Sequence, residues 1–121
     1  MSSLRVLICE DEGLTILRYR ASLGRLGVEV IGVVSDGEAV VETARQLLPD
    51  VVLMDIALPR LDGIEATRRI QATTPTPVVI ISGYHDPAVV EAAMAAGAID
   101  YLTKPVTDEA LAAALARIRS D

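Results

Sequence analysis

Val51-Val52-Leu53-Met54-Asp55 decides how this chain folds, because four uninterrupted apolar residues run directly into a carboxylate. Apolar runs that are continuous rather than alternating are typical of strands buried on both faces of a sheet. Four similar runs occur elsewhere along the chain. Together with the first they predict five buried strands, at Val6–Cys9, Val28–Val34, Val51–Met54, Val78–Ile81 and Ile99–Thr103.

The segments between these strands have the pattern of helices. Apolar residues recur there at three- and four-residue spacing, as in Leu14, Leu17 and Ala21, which favours an amphipathic helix. Cap residues mark where the helices begin and end. The candidate starts are Ser35 (with Asp36), Asp62, Asp86 and Thr107, and the candidate left-handed ends are Gly27 and Gly97.

Five strands alternating with helices predict a (βα)5 α/β fold, a doubly wound parallel sheet with helices on both faces. A chain of 121 residues with 51% hydrophobic residues buries roughly two thirds of its unfolded surface on folding. Because no repeat, linker or low-complexity segment interrupts the pattern, we expect a single domain over residues 1–121.

The charge balance narrows the classes of function. Lys and Arg number 11 against 17 Asp and Glu, which gives a net charge of -6. Since this charge repels phosphates and anionic lipid, direct binding to nucleic acid or to a membrane surface is disfavoured. The single cysteine, Cys9, excludes an internal disulfide, and no apolar run is long enough for a signal peptide or a membrane span. We therefore expect a cytoplasmic protein.

Polar residues follow the predicted strands at their carboxyl ends, where open α/β sheets bind ligands. Glu10, Asp11 and Glu12 follow the first strand, and Asp55 ends the third. Carboxylates that converge repel one another unless a cation lies among them, and a set of oxygen ligands suits Mg²⁺. The cap at Ser35-Asp36 that follows the second strand has no predicted part in this site.

Two residues point to phosphoryl chemistry at this edge of the sheet. Asp55 is the best-placed nucleophile, since a carboxylate beside a bound metal can attack phosphorus and form an aspartyl phosphate. Lys104 follows the fifth strand and is the only lysine of the chain, whose ten other cationic residues are all Arg. A compact ammonium in a chain that otherwise uses Arg suits contact with one phosphoryl oxygen.

Three segments, Val6 to Glu12, Val51 to Gly63 and Gly97 to Pro105, together with Ser82, resemble the signature segments of response-regulator receiver domains. The resemblance covers essentially the whole chain. It implies a flavodoxin-like sheet with strand order 2-1-3-4-5, and phosphoryl transfer to Asp55 from a sensor histidine kinase or phosphotransfer protein of a two-component system or phosphorelay. Glu10, Asp11, Asp55 and the backbone carbonyl of Ala57 would hold Mg²⁺.

The resemblance also implies a switch rather than an enzyme, with self-catalysed phosphorylation and dephosphorylation. Ser82 would be the hydroxyl that moves to the phosphoryl group, Tyr101 the aromatic side chain that follows it, and Lys104 the phosphoryl ligand. The Lys104–Pro105 peptide would be cis. The output surface would be the face of the fourth and fifth helices and the fifth strand, which would bind a downstream protein or a second phosphorylated copy.

Three positions bear on how far the resemblance extends. Glu10 stands where this family often has Asp, so that its longer carboxylate would reach the metal through water. Ala57 and Tyr84 occupy the two positions that tune the lifetime of the phosphoryl group. Neither side chain is a base that activates water, so we expect a lifetime that these two residues do not shorten.

Four alternatives remain open from the sequence. The chain could be a degenerate receiver that binds a protein without phosphorylation, or the N-terminal receiver of an RNA-binding antiterminator regulator. A haloacid-dehalogenase-like phosphatase also forms an aspartyl phosphate, but it needs a second acid two residues after the nucleophile, where this chain has Ala57. A flavin-binding protein is disfavoured because the chain has no Trp or Phe to stack on the ring.

Overall fold

Strands and helices alternate through residues 3–119, which are the part of the chain that the computed structural model describes. The elements are β1 (Arg5–Cys9), α1 (Gly13–Arg25), β2 (Glu29–Val34), α2 (Gly37–Leu47), β3 (Val51–Met54), α3 (Gly63–Thr73), β4 (Val78–Ser82), α4 (Pro87–Ala95), β5 (Asp100–Thr103) and α5 (Asp108–Arg119). Each predicted strand is present, with its ends shifted by no more than one residue.

The five strands form one parallel sheet in the order β2-β1-β3-β4-β5, which confirms the predicted order. β1 lies against β3 with Cys9 opposite Met54, so the residues that follow these two strands leave the sheet side by side. Ser82 at the end of β4 lies opposite Thr103, the residue before Lys104. Glu10, Asp11, Asp55, Ser82 and Lys104 therefore lie at or just beyond strand ends at one edge of the sheet, whereas Tyr101 lies within β5.

Alternate residues of each central strand belong to two separate hydrophobic cores. Leu7 and Val52 lie in the core under α2, α3 and α4, whereas Ile8 and Leu53 lie in the core under α1 and α5. Each core is almost fully closed to solvent. Both faces of β1 and β3 are apolar for this reason, which explains the continuous apolar runs in the sequence.

Helix α1 forms where the sequence predicts it, but with the opposite face buried. Leu14 and Leu17 are 55% and 64% exposed, and Ala21 is exposed as well. A second stripe has the same spacing and packs toward the sheet: Tyr19, Leu23 and Leu26. Because the two stripes have equal periodicity, spacing alone did not select the buried one.

The cap predictions hold with one correction. Asp62 and Asp86 accept amide hydrogen bonds at the starts of α3 and α4, and the Thr107 hydroxyl accepts the Ala110 amide at 3.1 Å. The cap of α2 is Asp36 rather than Ser35, since Asp36 Oδ1 accepts the Ala39 amide at 2.7 Å. Ser35 lies one residue too early, because α2 begins at Gly37.

Gly27 and Gly97 both have positive φ angles, of 72° and 111°, after α1 and α4, as predicted for residues that end helices. Among residues 3–119, no helix combines the length and the apolar character that crossing a bilayer requires.

Candidate functional site

Three carboxylates meet beyond the ends of β1 and β3. Glu10, Asp11 and Asp55 each offer one oxygen, and these oxygens all lie within 4.8 Å of one another. Glu10 is fully buried and Asp55 is 8% exposed, whereas Asp11 faces solvent. Glu12 lies outside this cluster, because its carboxylate accepts the Thr15 amide at 2.7 Å and caps α1. We refer to Glu10, Asp11 and Asp55 as the acidic triad.

Lys104 reaches the acidic triad from the loop after β5. Its Nζ lies 2.9 Å from Glu10 Oε1 and 3.4 Å from Asp55 Oδ2. The backbone anchors this loop, because the Lys104 amide donates to the Ser82 carbonyl at 2.9 Å and the Lys104–Pro105 peptide is cis. The only lysine of the chain thus lies between two of the three carboxylates.

The charges of this cluster perturb one another. Burial raises the pKa of Glu10 and the charge of Asp55 adds to the increase, while hydrogen bonds from Lys104 and the Glu12 amide oppose it. Burial also disfavours the charged form of Lys104, but the Glu10 hydrogen bond and the Asp55 charge outweigh this effect and raise its pKa. Lys104 is therefore an ammonium at neutral pH, and one cation faces three acids.

The donor set of the acidic triad fits a divalent cation. Two like charges less than 5 Å apart repel by about 3 kcal/mol at an effective dielectric constant of about 20. Lys104 offsets only part of this repulsion, and all the donors are hard oxygens of the kind that Mg²⁺ prefers. Glu10 is the least free of the three to turn toward a metal, because Lys104 and the Glu12 amide already bind its two oxygens.

A second group of predicted residues lies beside the triad and is connected by hydrogen bonds. The fully buried Ser82 accepts the Tyr84 amide at its Oγ, at 3.1 Å. The Tyr101 hydroxyl donates to the Tyr84 carbonyl at 2.7 Å. Ser82 and Tyr101 are therefore joined through the backbone of Tyr84, whose own side chain is exposed, as is Ala57 in the loop after β3.

One buried polar residue beside the site was missed by sequence reasoning. Tyr19 is 4% exposed, and its hydroxyl has no hydrogen-bond partner among the described residues. Burial raises the pKa of this phenol, and the nearby charges of Glu10 and Asp55 raise it further. Tyr19 also borders a cavity of about 380 Å³ that reaches Lys104. An aromatic residue at helical spacing gives no signal that separates this placement from ordinary core packing.

The fold and the site define a flavodoxin-like α/β protein with an acidic, oxygen-only pocket and a lysine at the carboxyl edge of its sheet. Residues 6–116 match the family model of the response regulator receiver domain. The chain belongs to this family, so the resemblance in its signature segments is confirmed. Receiver domains act in two-component signalling and bind Mg²⁺ at an acidic pocket.

Known proteins of the family resemble the chain closely. It is 41% identical over 101 residues to the transcriptional regulatory protein PdtaR of Mycobacterium tuberculosis, an alignment that covers 84% of this chain and 49% of PdtaR. The chain thus spans about half the length of that relative.

Two solved receiver structures share nearly the whole fold. The receiver domain of the putative response regulator NarL from Mycobacterium tuberculosis superposes with a TM-score of 0.93 at 31% identity, covering 100% of both chains. The receiver domain of the sensor histidine kinase PA1611 from Pseudomonas aeruginosa gives a TM-score of 0.89 at 32% identity, covering 99% of this chain and 100% of the other. That structure contains a magnesium ion coordinated in its active-site cleft.

Proposed function

We propose that residues 1–121 form a single receiver domain that accepts a phosphoryl group on Asp55 from the phosphohistidine of a sensor histidine kinase or phosphotransfer protein. The observation that carries this proposal is the acidic triad within 4.8 Å, with Lys104 Nζ 3.4 Å from Asp55. The chain would then act as a phosphorylation-dependent switch in a two-component system or phosphorelay, and not as an enzyme that turns over a separate substrate.

The transfer itself needs little beyond position and charge. A carboxylate oxygen of Asp55 attacks phosphorus, an oxygen–phosphorus bond forms, and the phosphorus–nitrogen bond to the histidine breaks. The electron pair of that bond stays on the imidazole nitrogen, which takes up a proton. The Lys104 ammonium, which contacts the Asp55 carboxylate before the transfer, then binds the phosphoryl oxygens.

The acidic triad would hold Mg²⁺ together with the backbone carbonyl of Ala57. When bound, this cation supplies the positive charge that offsets the transferring phosphoryl group. Asp11 is the most accessible carboxylate of the triad, whereas Glu10 is held by Lys104 and the Glu12 amide. We therefore expect Asp11 and Asp55 to bind the cation directly and Glu10 to bind it through water.

The hydrogen bonds around Tyr84 supply a route from the acceptor to the surface. A phosphoryl group brings about -1.5 to -2 charges at pH 7, which attract the Ser82 hydroxyl as a donor. When Ser82 moves, the Tyr84 amide loses its acceptor, and the Tyr84 carbonyl carries Tyr101 with it. A coupling of this kind is typically worth roughly 1–3 kcal/mol. The output is a changed affinity of the α4-β5-α5 face for a protein target or a second copy.

The side chains of Ala57 and Tyr84 should not shorten the lifetime of the aspartyl phosphate. Ala57 has no functional side chain, and Tyr84 is a phenol that faces solvent. Neither can act as a general base toward a water molecule at phosphorus. We therefore propose that hydrolysis of the phosphoryl group is not accelerated from these positions.

Incubation with a small-molecule phosphodonor tests the proposed function. In the presence of Mg²⁺, intact-mass spectrometry should show the gain of one phosphoryl group per chain. Addition of a chelator in excess of Mg²⁺ should reduce that gain at least tenfold, because the carboxylate repulsion is then uncompensated. If no mass is gained with Mg²⁺ at any donor concentration, the chain is not a phospho-acceptor.

The exposed leucines of α1 suggest where the phosphohistidine partner docks. Leu14 and Leu17 lie on the first turns of the helix that starts beside the acidic triad, and both side chains face solvent. A partner that brings its histidine to Asp55 must cover this end of α1. Burial of one leucine against a partner contributes about 1.5–3 kcal/mol.

Replacing Leu17 with serine should slow phosphoryl transfer from the partner protein roughly tenfold, because the lost contact weakens docking. Transfer from a small phosphodonor should stay at the wild-type rate, since Leu17 lies outside the triad. Leu48, which is equally exposed but follows α2, provides the matched control as Leu48→Ser. Equal transfer rates for the two variants would show that α1 does not bind the partner.

A further inference from the structure

The loop between β3 and α3 carries Ala57, and the first turn of α2 lies directly against it. The Gly37 amide donates to the Pro59 carbonyl at 3.3 Å. A Cβ atom on Gly37 would overlap the Leu61 carbonyl oxygen and lie 2.6 Å from its carbon. Backbone meets backbone here, so the contact has no flexible side chain that can yield. The absence of a side chain at Gly37 is what permits this approach.

Asp36 adds a second link between α2 and the same loop. Its Oδ1 caps α2, while its Oδ2 lies 3.4 Å from Nε of Arg60. Arg60 has a φ of 69°, a left-handed conformation that non-glycine residues rarely adopt. A strained residue in a loop persists only when its surroundings hold it. The Asp36 carboxylate, four-fifths buried, supplies one such contact to the largely exposed Arg60 side chain.

The end of the loop that adjoins α3 is fixed in a different way. The Gly63 amide donates to the Ile56 carbonyl at 2.9 Å, and Asp62 caps α3. Within the loop, the Leu58 amide donates to the Ile56 carbonyl and the Leu61 amide to the Pro59 carbonyl, and the contacts of Asp36 and Gly37 tie this turn to α2. Ala57 is exposed and lies only two residues before Pro59, so a shift of Pro59 would reach the backbone that carries the Ala57 carbonyl.

We infer that Asp36 and Gly37 are positioning residues for the metal centre, because they hold the loop that carries the Ala57 carbonyl. This inference rests on the proposed Mg²⁺ site. A ligand that is held in place before binding avoids the entropy cost of being ordered by the cation. A looser loop should therefore bind Mg²⁺ more weakly while the three carboxylates remain unchanged.

Two measurements on Gly37→Ala test this. Isothermal titration calorimetry should show Mg²⁺ affinity reduced about tenfold, or about 1.4 kcal/mol. Hydrogen exchange of the Leu58 and Leu61 amides, measured without Mg²⁺, should be faster than in wild type. Gly24→Ala is the matched control, because a Cβ atom there meets nothing within 4 Å, and it should change neither quantity.

Val40→Ala separates positioning from general destabilisation of α2. Val40 lies in α2, is fully buried in the hydrophobic core and belongs neither to the loop nor to the triad, so the variant should lose stability and keep its Mg²⁺ affinity. Asp36→Asn, which retains the cap oxygen and loses the charge opposite Arg60, should weaken Mg²⁺ binding about two- to threefold. This variant decides the question if Gly37→Ala does not fold.

The inference is wrong if the variants of Asp36 and Gly37 bind Mg²⁺ as tightly as Val40→Ala does. Failure of the proposed function has a different signature. Wild-type protein would then bind no Mg²⁺ in calorimetry. The role of α2 in ordering the loop would still be tested by hydrogen exchange of the Leu58 and Leu61 amides, which does not require Mg²⁺. Unchanged exchange in Gly37→Ala would refute that role.

Discussion

Replacing Asp55 with asparagine should abolish phosphoryl incorporation from a small phosphodonor and leave the fold intact. The amide oxygen is a poor nucleophile, and a neutral side chain cannot form the aspartyl phosphate. Asparagine can still accept the Ile56 amide that Asp55 Oδ1 accepts at 2.8 Å. Loss of one charge also relieves repulsion within the acidic triad, so thermal stability should not fall. Intact mass and thermal unfolding check the two expectations.

Asp50→Asn is the control for this variant, because Asp50 lies at the opposite end of β3 and should leave incorporation at one group per chain. A gain of mass by Asp55→Asn would place the acceptor elsewhere. The degenerate-receiver alternative makes a separate prediction, that partner affinity is the same in wild type, in Asp55→Asn and after phosphodonor treatment. The intact triad and its lysine argue against that alternative.

Replacing Gly63 with alanine should lower the free energy of unfolding by about 2–3 kcal/mol, as overpacking in a closed site typically does. A Cβ atom there would overlap the Asp55 carbonyl oxygen and lie 2.8 Å from its carbon. The backbone that must move carries the acceptor residue itself, so phosphoryl incorporation should slow as well. Urea denaturation monitored by circular dichroism measures the stability change.

Gly24→Ala makes the same chemical change where a Cβ atom meets nothing within 4 Å. Since alanine is favoured over glycine inside a helix, this variant should gain about 0.5–1 kcal/mol. The two substitutions are thus expected to have opposite signs. A Gly63→Ala protein as stable as wild type would mean that the start of α3 can shift away from β3 without cost.

The five strands could be predicted because the two-sided burial of a parallel sheet leaves continuous apolar runs in the sequence, whereas their order was implied only by the resemblance to receiver domains. Val51 to Met54 is apolar at every position since its alternate residues enter two different cores. The meeting of Glu10 and Asp55 follows from the same fact, because neighbouring parallel strands end at one edge. Lys104 stood out as the only lysine in the chain.

Other features depend on tertiary contacts that periodicity does not encode. The two apolar stripes of α1 have the same spacing, and only packing against the sheet shows that Tyr19 is buried and Leu17 exposed. The sequence predicted only a helix cap at Asp36. Its contact with Arg60 depends on the left-handed backbone conformation of Arg60, which no short sequence motif predicts. The role of Gly37 likewise depends on a neighbour 24 residues away, at Leu61.

Because Lys104 is the only lysine, an amine-specific reagent would label one side chain, at a known place in the molecule. Reductive methylation with ¹³C-formaldehyde would introduce a single side-chain NMR signal, apart from that of the amino terminus. Because this nitrogen lies between Glu10 and Asp55, the signal would sense metal loading and phosphorylation directly. One resonance could then follow the state of the protein in a mixture with its partners, without separation of the components.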